Sequence, residues 1–202
     1  ELDNADDRVF LLEGYIFPDT YEFYLESDAR SVVDKFIENY NSKITDEMKQ
    51  RAKTLGYTMD QMMTLASVIQ KECDADIDEC ANVSSVFHNR LKDPASFPKL
   101  ESDVTTFYVS QNLKDVIGYQ DGVALENQND EVKKYMELYS TYYREGLPVG
   151  PICNPGLKAI NAALHPADTN YVFFLTDKSG EHFYYASTIA EHNANGVKAG
   201  LF

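Results

Sequence analysis

The chain has 202 residues, of which 44% are hydrophobic and 12% aromatic, so it can bury the core of one large domain or two small ones. It carries 18 Lys and Arg against 33 Asp and Glu, which gives a formal charge of -15. This charge argues against a nucleic-acid partner, because binding to phosphate backbones depends on basic residues. With no run of about 18 apolar residues and no signal-peptide pattern, the sequence as given predicts a soluble piece.

Three cysteines are present, at Cys73, Cys80 and Cys153, without CxxC spacing or a Cys/His cluster, so no metal site is predicted. On one continuous helix Cys73 and Cys80 would lie about two turns apart, too far for a disulfide, whereas a turn between them would allow one. We expect all three to be small buried hydrophobic residues. Glycine-rich nucleotide motifs are missing as well, so no cofactor is predicted.

The first half of the chain predicts strands followed by helices. Residues 8–25 are rich in aromatic and β-branched residues and are predicted to form short strands with a turn. From Asp28 onward, apolar residues recur at spacings of three and four and predict a helix. A second helix is predicted from Thr45, with Gly56 as its terminator, and a third from Thr58, where a capping box can form.

A fourth helix is predicted from about Ile77 to Leu91, so that the third and fourth helices form a short hairpin around residues 73–76. Residues 99–154 are polar, rich in tyrosine and weakly periodic, and we interpret them as loops that line a cleft.

Near the C-terminus, Asn154 is predicted to cap a further helix, with Pro155 at its first position. Residues 170–187 read as a β-hairpin around a "DKSG" turn. The predicted fold class is α+β: a helical hairpin packed with short antiparallel strands and a C-terminal hairpin, with long cleft-lining loops.

Glu72 is the carboxyl group that the helical pattern singles out. In the third helix, Met62, Leu65, Ala66, Ile69 and Cys73 form one apolar stripe, and Glu72 projects at its edge. A carboxyl group half-withdrawn from water without a cation has a raised pKa and can serve as a proton donor. Most glutamates at such a boundary reach into solvent, and periodicity alone favours that interpretation.

Other chemistries have less support in the sequence. There is no GxSxG motif, and the four histidines show neither triad nor HExxH spacing. We interpret His88 as a helix-surface residue and His165 as a helix-end cap. The 14 tyrosines suit binding of amphipathic sugar rings, although tyrosine is also ordinary strand material.

Seven segments, in order and spread over nearly the whole chain, resemble the endolytic murein transglycosylase family, also called MltG or YceG-like. They are "LEGYIFPDTYEF" (12–23), "LASVIQKE" (65–72), "VFHNRL" (86–91), "SDVTTFY" (102–108), "YSTYYREGLPVGPICNPG" (139–156), "AALHPADTNYVFF" (162–174) and "HFYYASTIAEHN" (182–193).

The resemblance implies a bacterial cell-wall enzyme that cuts peptidoglycan strands internally, between N-acetylmuramic acid and N-acetylglucosamine. It places the catalytic glutamate of the family on Glu72. In the implied reaction one glutamate first protonates the glycosidic oxygen and then acts as base, while the muramic acid 6-hydroxyl closes a 1,6-anhydro ring. Ordinary glycosidases use two carboxyl groups for cleavage. Substrate-binding candidates within the matching segments are Glu13, Asp103, Thr105, Tyr108, Ser140, Thr141, Tyr142 and Asn154.

The family also implies a membrane helix and a LysM-like domain before this region, which the sequence lacks. Residues 1–202 are therefore predicted to be one catalytic domain of a membrane-anchored protein on the extracytoplasmic face of the bacterial membrane. Its expected partners are peptidoglycan strands and cell-wall synthesis proteins. No nucleic-acid partner is expected. Residues 111–134 match nothing in the family and are interpreted as an insertion. Two alternatives stay open: a non-catalytic glycan-binding or scaffolding module, and a water-using muramidase with Asp103 or Glu13 as second carboxylate.

Overall fold

The computed structural model describes residues 2–201, so the two end positions of the predicted domain, 1 and 202, lie outside the described residues. Within residues 2–201 the chain forms nine α-helices and one two-stranded antiparallel sheet, which confirms the predicted α+β class. The elements are α1 (Ala29–Lys43), α2 (Asp46–Thr54), α3 (Met59–Glu72), α4 (Ile77–Lys92), α5 (Asp103–Phe107), α6 (Lys114–Ile117), α7 (Asp130–Tyr139), α8 (Leu157–Leu164), β1 (Phe173–Thr176), β2 (Phe183–Ala186) and α9 (Ile189–Lys198).

The first four helices begin where their capping residues predict. Asp28 accepts a hydrogen bond from the backbone N–H of Ser31 at 2.8 Å, and Thr45 caps α2 in the same way. Thr58 and Gln61 form the predicted capping box at the start of α3. Gly56 has a φ of +88°, which suits glycine after a helix end. Local hydrogen bonding thus sets these helix starts.

Helix α3 lies at the centre of the core. All five residues of its predicted apolar stripe are buried, and α8 packs against both α3 and α4. His88 on α4 is also buried, and its Nε2–H donates to the carbonyl oxygen of Ala163 at 2.8 Å. The interpretation of His88 as a helix-surface residue was therefore wrong, because α8 covers that face of α4.

The C-terminal hairpin is confirmed, and it is attached to the helical core through aromatic contacts. Phe173 pairs with Ala186, and Thr176 pairs with Phe183. Phe174 meets Phe87 of α4 edge to face at 5.9 Å between ring centroids. Helix α9, which was not predicted, packs against both strands.

Residues 8–25 form turns instead of the predicted strands. Backbone N–H groups of this segment donate locally, as from Tyr15 to Leu12 at 2.9 Å. Others donate to a distant side chain: Gly14 and Ile16 both donate to Asn154 Oδ1, at 2.8 and 3.1 Å. The strand prediction was wrong because these donors have side-chain and turn partners in place of a neighbouring strand.

Residues 99–154 contain more helix than was predicted. They form α5, a π-helical turn at Tyr108–Asn112, α6 and α7, before a long loop follows. Leu113 and Val132, inside the segment interpreted as an insertion, are fully buried in the core. The five- and four-residue helices α5 and α6 are too short for a periodicity test, whereas Val132, Tyr135, Met136 and Tyr139 of α7 do follow a helical spacing that was overlooked.

Asn154 does not cap α8, which corrects the predicted helix start. Gly156 occupies the N-cap position, and α8 begins at Leu157. The side chain of Asn154 instead binds the N-terminal segment, as described above. The side-chain oxygen of Asn154 therefore accepts hydrogen bonds from Gly14 and Ile16 and not from the helix that it was predicted to cap.

Cys73 and Cys80 form a disulfide, which is the alternative that a turn between them allows, while the expectation of a fully buried cysteine was wrong for Cys153, which is partly buried. Helix α3 ends at Glu72 and α4 begins at Ile77, and this break brings the two Cα atoms within 5.6 Å. Both cysteines are buried, and Cys153 is free. In the range 2–201 no helix is long and apolar enough to cross a membrane.

Candidate active site

Glu72 is the last residue of α3, and its side chain reaches a cavity of about 730 Å³. The cavity lies between the α3–α4 helices, the chain around α5, the loop after α7, and the hairpin with α9. Its lining residues are Glu72, Val86, Phe87, Arg90, Leu100, Glu101, Ser102, Asp103, Tyr142, Phe173, Phe174, Leu175, Thr176, Asp177, Ile189, His192 and Leu201. The carboxyl group predicted at the edge of the apolar stripe therefore faces a cavity.

Ser102 fixes one oxygen of this carboxyl group. Its hydroxyl donates to Glu72 Oε1 at 2.5 Å. Ser102 is held in turn by two threonines: its N–H donates to Thr141 Oγ1 at 2.9 Å, and the Thr105 hydroxyl donates to its carbonyl oxygen at 2.6 Å. Ser102 occupies the N-cap position of α5 but makes no capping bond with its side chain, which leaves the hydroxyl for Glu72.

The electrostatic surroundings of Glu72 favour its protonated form. Burial raises the pKa of Glu72 above the ordinary value of 4.5, and the negative charge of Asp103 acts in the same direction, while the Ser102 hydrogen bond opposes them. None of the ion pairs found within residues 2–201 includes Glu72. The carboxyl group therefore holds a proton more readily than a solvent-exposed glutamate does, which suits a proton donor.

Asp103 and Tyr142 form a polar pair in the same cavity. The Tyr142 hydroxyl donates to Asp103 Oδ1 at 2.8 Å. Burial, together with this bond and the charge of Asp103, raises the pKa of Tyr142 to about 12, so it is a neutral phenol at physiological pH. Tyr142 is 42% exposed and presents an aromatic surface to the cavity. Both predicted residues thus lie where a bound sugar could reach them.

Four other predicted binding residues are buried and do not reach the Glu72 cavity. Thr105, Tyr108, Ser140 and Thr141 are at most 2% exposed and do not line it. Thr105 and Thr141 reach Glu72 only through Ser102. Ser140 pairs with the hydroxyl of Thr106 at 2.7 Å. Thr105 and Thr141 thus hold Ser102 in the cavity wall, whereas Tyr108 packs against Tyr139 at 4.9 Å between ring centroids. Direct contact with substrate would require any of the four to move.

Glu13 and Asn154 lie in a different place. They line a second, largely apolar cavity of about 590 Å³ formed by residues 9–13, Ile16 and Asn154. Burial raises the pKa of Glu13, and the charge of Lys71 opposes that rise. Of the two carboxylates considered as a second catalytic group, only Asp103 shares a cavity with Glu72.

Sequence reasoning missed six polar residues of the Glu72 cavity: Arg90, Glu101, Ser102, Thr176, Asp177 and His192. Arg90 donates to the carbonyl oxygens of Val172 at 2.7 Å and Leu100 at 3.1 Å, joining the helical core to the hairpin. Arg90, His192 and Ser102 all stand in segments that carry the family resemblance. Position inside those segments was the only signal that could have identified them.

The site is defined by the Glu72 carboxyl group, which a serine holds at the wall of an open polar and aromatic cavity, with the Asp103 carboxyl group in the same cavity. Such an arrangement is typical of general acid–base chemistry on a polar substrate. Among residues 2–201 no group of three or more potential metal ligands comes together.

Comparison with known proteins identifies the family. Residues 2–198 match the YceG-like family, and the chain belongs to it. The chain is 34% identical over 183 residues to a Bacillus subtilis protein named endolytic murein transglycosylase, covering 90% of this chain and 46% of the relative. A protein of the same name from Streptococcus pneumoniae strain D39 is 26% identical over 92% of this chain and 32% of the relative. The chain therefore spans less than half the length of these relatives.

A solved structure supports the same fold. The crystal structure of a YceG-like protein from Listeria monocytogenes superimposes with a TM-score of 0.73 at 27% identity. The match covers 94% of this chain and 57% of the other chain. The arrangement of helices and hairpin described above is thus shared with an experimentally determined member of the family.

Proposed function

We propose that this domain is an endolytic lytic transglycosylase, which cleaves the bond between N-acetylmuramic acid and N-acetylglucosamine within peptidoglycan strands. The observation that carries the proposal is the position of Glu72: a carboxyl group with a raised pKa, bound by Ser102 and directed to the wall of a large cavity. The names of the Bacillus and Streptococcus relatives support murein as the substrate.

In the first step Glu72 acts as general acid. Because Ser102 donates to Oε1, that oxygen behaves as the carbonyl oxygen of the neutral acid, and Oε2 carries the proton. The proton passes to the glycosidic oxygen as the bond to the muramic acid C1 breaks, and the N-acetylglucosamine end leaves with a hydroxyl group. The resulting carboxylate keeps its hydrogen bond to Ser102, which favours the charged form.

In the second step the Glu72 carboxylate acts as base. It removes the proton from the 6-hydroxyl of the same muramic acid, and that oxygen forms a bond to C1, giving a 1,6-anhydro ring and restoring the neutral acid. The negative charge of Asp103 stabilises the positive charge that develops on the sugar ring, while the Tyr142 hydroxyl holds Asp103 in place. No metal ion or organic cofactor enters this reaction.

Aromatic surface in the cavity suits a sugar ring. Tyr142 and Phe173 line it, and Phe173 stacks on His192 at 5.1 Å between ring centroids. Apolar faces of this kind contact the C–H face of a hexose, and the neighbouring polar groups bind its hydroxyls. The substrate we propose is therefore a glycan strand and not a peptide alone.

A water-using muramidase is the second candidate, and one observation favours it: Asp103 lies in the same cavity as Glu72. Two carboxyl groups that flank the scissile bond would allow Asp103 to activate a water molecule or to act as nucleophile. The hydrogen bond from Tyr142 occupies one oxygen of Asp103 and leaves the other free.

Peptidoglycan lies outside the cytoplasm, so we propose that the domain works on the extracytoplasmic face of the membrane. The Cys73–Cys80 disulfide supports this location, because disulfides persist in oxidising compartments. We also propose that the domain is joined to a membrane anchor and contacts cell-wall synthesis proteins. The longer relatives leave room for such a part, because the match covers only 46% and 32% of their length.

Digestion of purified peptidoglycan tests the proposal. The products are identified by mass spectrometry, with Glu72→Gln as the variant and Glu13→Gln, which changes a carboxyl group outside the Glu72 cavity, for comparison. We expect 1,6-anhydro-muramic acid ends from the native domain and none from Glu72→Gln. Reducing muramic acid ends would support the muramidase instead. Binding to peptidoglycan without any cleavage would overturn both and support a binding or scaffolding module.

A further inference from the structure

The disulfide lies directly beside the proposed proton donor. Cys73 follows Glu72 in the chain and is the C-cap residue of α3. Its partner Cys80 is on the first turns of α4, seven residues later. Both cysteines are 1% exposed, so the bridge is buried between the two helices.

We propose that the Cys73–Cys80 disulfide is a positioning element for Glu72, which holds the carboxyl group against Ser102 at the cavity wall. Terminal helical turns open more easily than helix interiors, and Glu72 is in such a turn. The bridge joins the residue after Glu72 to a helix whose own start is fixed. The position of Glu72 therefore depends on a covalent bond as well as on helix packing.

The start of α4 is well anchored. Asp76 accepts a hydrogen bond from the backbone N–H of Glu79 at 2.9 Å. The Tyr185 hydroxyl of β2 donates to Glu79 Oε1 at 2.5 Å, which connects α4 to the hairpin that forms the other side of the cavity. The disulfide to Cys80 therefore joins the last turn of α3 to the part of α4 that Tyr185 binds to the hairpin.

Apart from the bridge, the α3–α4 turn is held mainly by one partly exposed side chain, Lys158, which contacts the Asp74 carboxylate at 3.8 Å and the Asp74 carbonyl oxygen at 3.4 Å. The N–H of Cys73 donates to the carbonyl oxygen of Ile69 at 2.9 Å, the last bond of the helix. Lys158 donates to the carbonyl oxygen of Ala75 at 2.6 Å. Asp74 and Asp76 are exposed. Without the disulfide, we expect the turn and Glu72 to move toward solvent.

Formation of the bridge requires an oxidant. Each thiol loses one hydrogen atom, the two sulfur atoms join, and both electrons pass to an external disulfide that is reduced to two thiols. The proposal therefore includes a partner class: a thiol–disulfide oxidant that this domain meets where it folds.

The test depends on the ionisation of Glu72, so the groups facing it matter. Charged or titratable groups around the cavity are Arg90 from α4, Glu101 and Asp103 at the start of α5, Tyr142 from the following loop, Asp177 from the hairpin and His192 from α9. None of them is changed by substituting the cysteines. A shift in the titration of Glu72 would then report its own position.

The variant is Cys73→Ala/Cys80→Ala, and the matched control is Cys153→Ala, which removes the free cysteine. The carboxyl 13C signal of Glu72, assigned by its loss in Glu72→Gln, is followed by NMR as a function of pH. In parallel, kcat and KM for peptidoglycan cleavage are measured where unfolding curves show each protein to be folded. Intact mass after alkylation without reduction counts the free thiols.

We expect one alkylated cysteine in the native protein. In the double variant we expect the Glu72 midpoint to move to lower pH, and kcat to fall about tenfold while KM changes little, because a small displacement of a catalytic group is costly. The control keeps the native midpoint and kcat. If the double variant does not fold, the native protein is reduced with a phosphine and the titration is repeated before and after reoxidation.

Three alkylated cysteines in the unreduced native protein would overturn the proposal, and so would an unchanged Glu72 midpoint and kcat in the folded double variant. The kcat readout rests on the proposed function, whereas the NMR midpoint does not. A native protein without cleavage activity would therefore contradict the proposed function, while the midpoint would still decide the role of the disulfide.

Discussion

The two ends of α3 each carry a buried or partly buried acid, Asp60 near the start and Glu72 at the end. Asp60 is surrounded by donors: it forms an ion pair with Arg8, whose side chain is 1% exposed, and accepts a hydrogen bond from the Tyr15 hydroxyl. Glu72 has a serine hydroxyl and no cation. One helix thus holds two carboxyl groups in different surroundings: Asp60 is paired with a cation inside the protein, and Glu72 faces a cavity.

The difference shows how pairing separates structural acids from reactive ones. An ion pair fixes a carboxylate as the charged form, and removing one partner leaves a buried charge. A desolvated carboxyl group whose donor is a neutral hydroxyl keeps a raised pKa and can cycle between its protonated and charged forms. Substitution of Glu72 should therefore reduce activity, whereas substitution of Asp60 should reduce stability.

The largest expected effect is on activity at the C-terminal end. Glu72→Gln should reduce cleavage about a thousandfold or more, because general acid–base catalysis at one group contributes up to about 10⁴-fold. The glutamine can still accept the bond from Ser102, so thermal unfolding should stay close to that of the native protein. Rates come from the release of soluble muropeptides. A fully active Glu72→Gln protein would remove Glu72 from the reaction.

At the N-terminal end the expected effect is on stability. Asp60→Asn should lower the free energy of unfolding by about 3–5 kcal/mol, because it leaves the buried Arg8 without its carboxylate. Urea unfolding gives the value. The control is Asp46→Asn at an exposed ion pair with Lys49, where we expect a change of about 1 kcal/mol or less. Equal effects at the two sites would contradict the assigned role of Asp60.

A smaller effect is expected when the hydrogen bond to Glu72 is removed. Ser102→Ala should lower kcat about tenfold, the scale of one hydrogen bond to a charged group. It should also move the alkaline limb of the kcat profile to higher pH, because the Ser102 bond lowers the pKa of Glu72. The measurement is kcat against pH.

Ser42→Ala, at an exposed serine on α1, serves as the control for Ser102→Ala. An unchanged pH profile in a folded Ser102→Ala protein would show that the bond does not tune Glu72. The direction of the shift also separates this variant from loss of the disulfide, which should move the Glu72 midpoint to lower pH.

The smallest effect is on the pH dependence of stability. Glu72 has a higher pKa in the folded than in the unfolded protein, so its contribution to stability is fully present below the unfolded value, about pH 4.3, and is lost as pH rises through the folded value. Glutamine does not titrate, so the Glu72→Gln variant does not lose stability in this way as pH rises. Urea unfolding between acidic and neutral pH should show the variant gaining stability relative to the native protein, and parallel curves would contradict a raised pKa.

The starts of α1 to α4 and the C-terminal hairpin were predictable because their signals are local. Thr58 and Gln61 form a capping box within four residues, and the "DKSG" turn at 177–180 reverses the chain between two strands. The same local signals gave a wrong prediction for residues 8–25. The backbone N–H groups there donate to nearby carbonyl oxygens and to Asn154, about 140 residues away in the chain.

Part of the site was predictable from the family segments. Glu72, Asp103 and Tyr142 lie in those segments, and they line one cavity. Glu13 and Asn154 were selected with them but lie in another cavity. The family segments indicate which parts of the chain surround the site, whereas packing decides which of their side chains are exposed in the cavity. Thr105 and Thr141 lie in these segments but are fully buried.

The sequence by itself determined that Glu72 ends a helix at the edge of an apolar stripe, because helical geometry sets the direction of a side chain within a few residues. It also determined the family, through ordered segments. Only the tertiary structure decided what the carboxyl group meets: the Ser102 hydroxyl from 30 residues away, a cavity shared with Asp103, and a disulfide that needs the break between α3 and α4. Such contacts join segments distant in the chain, and packing alone brings them together.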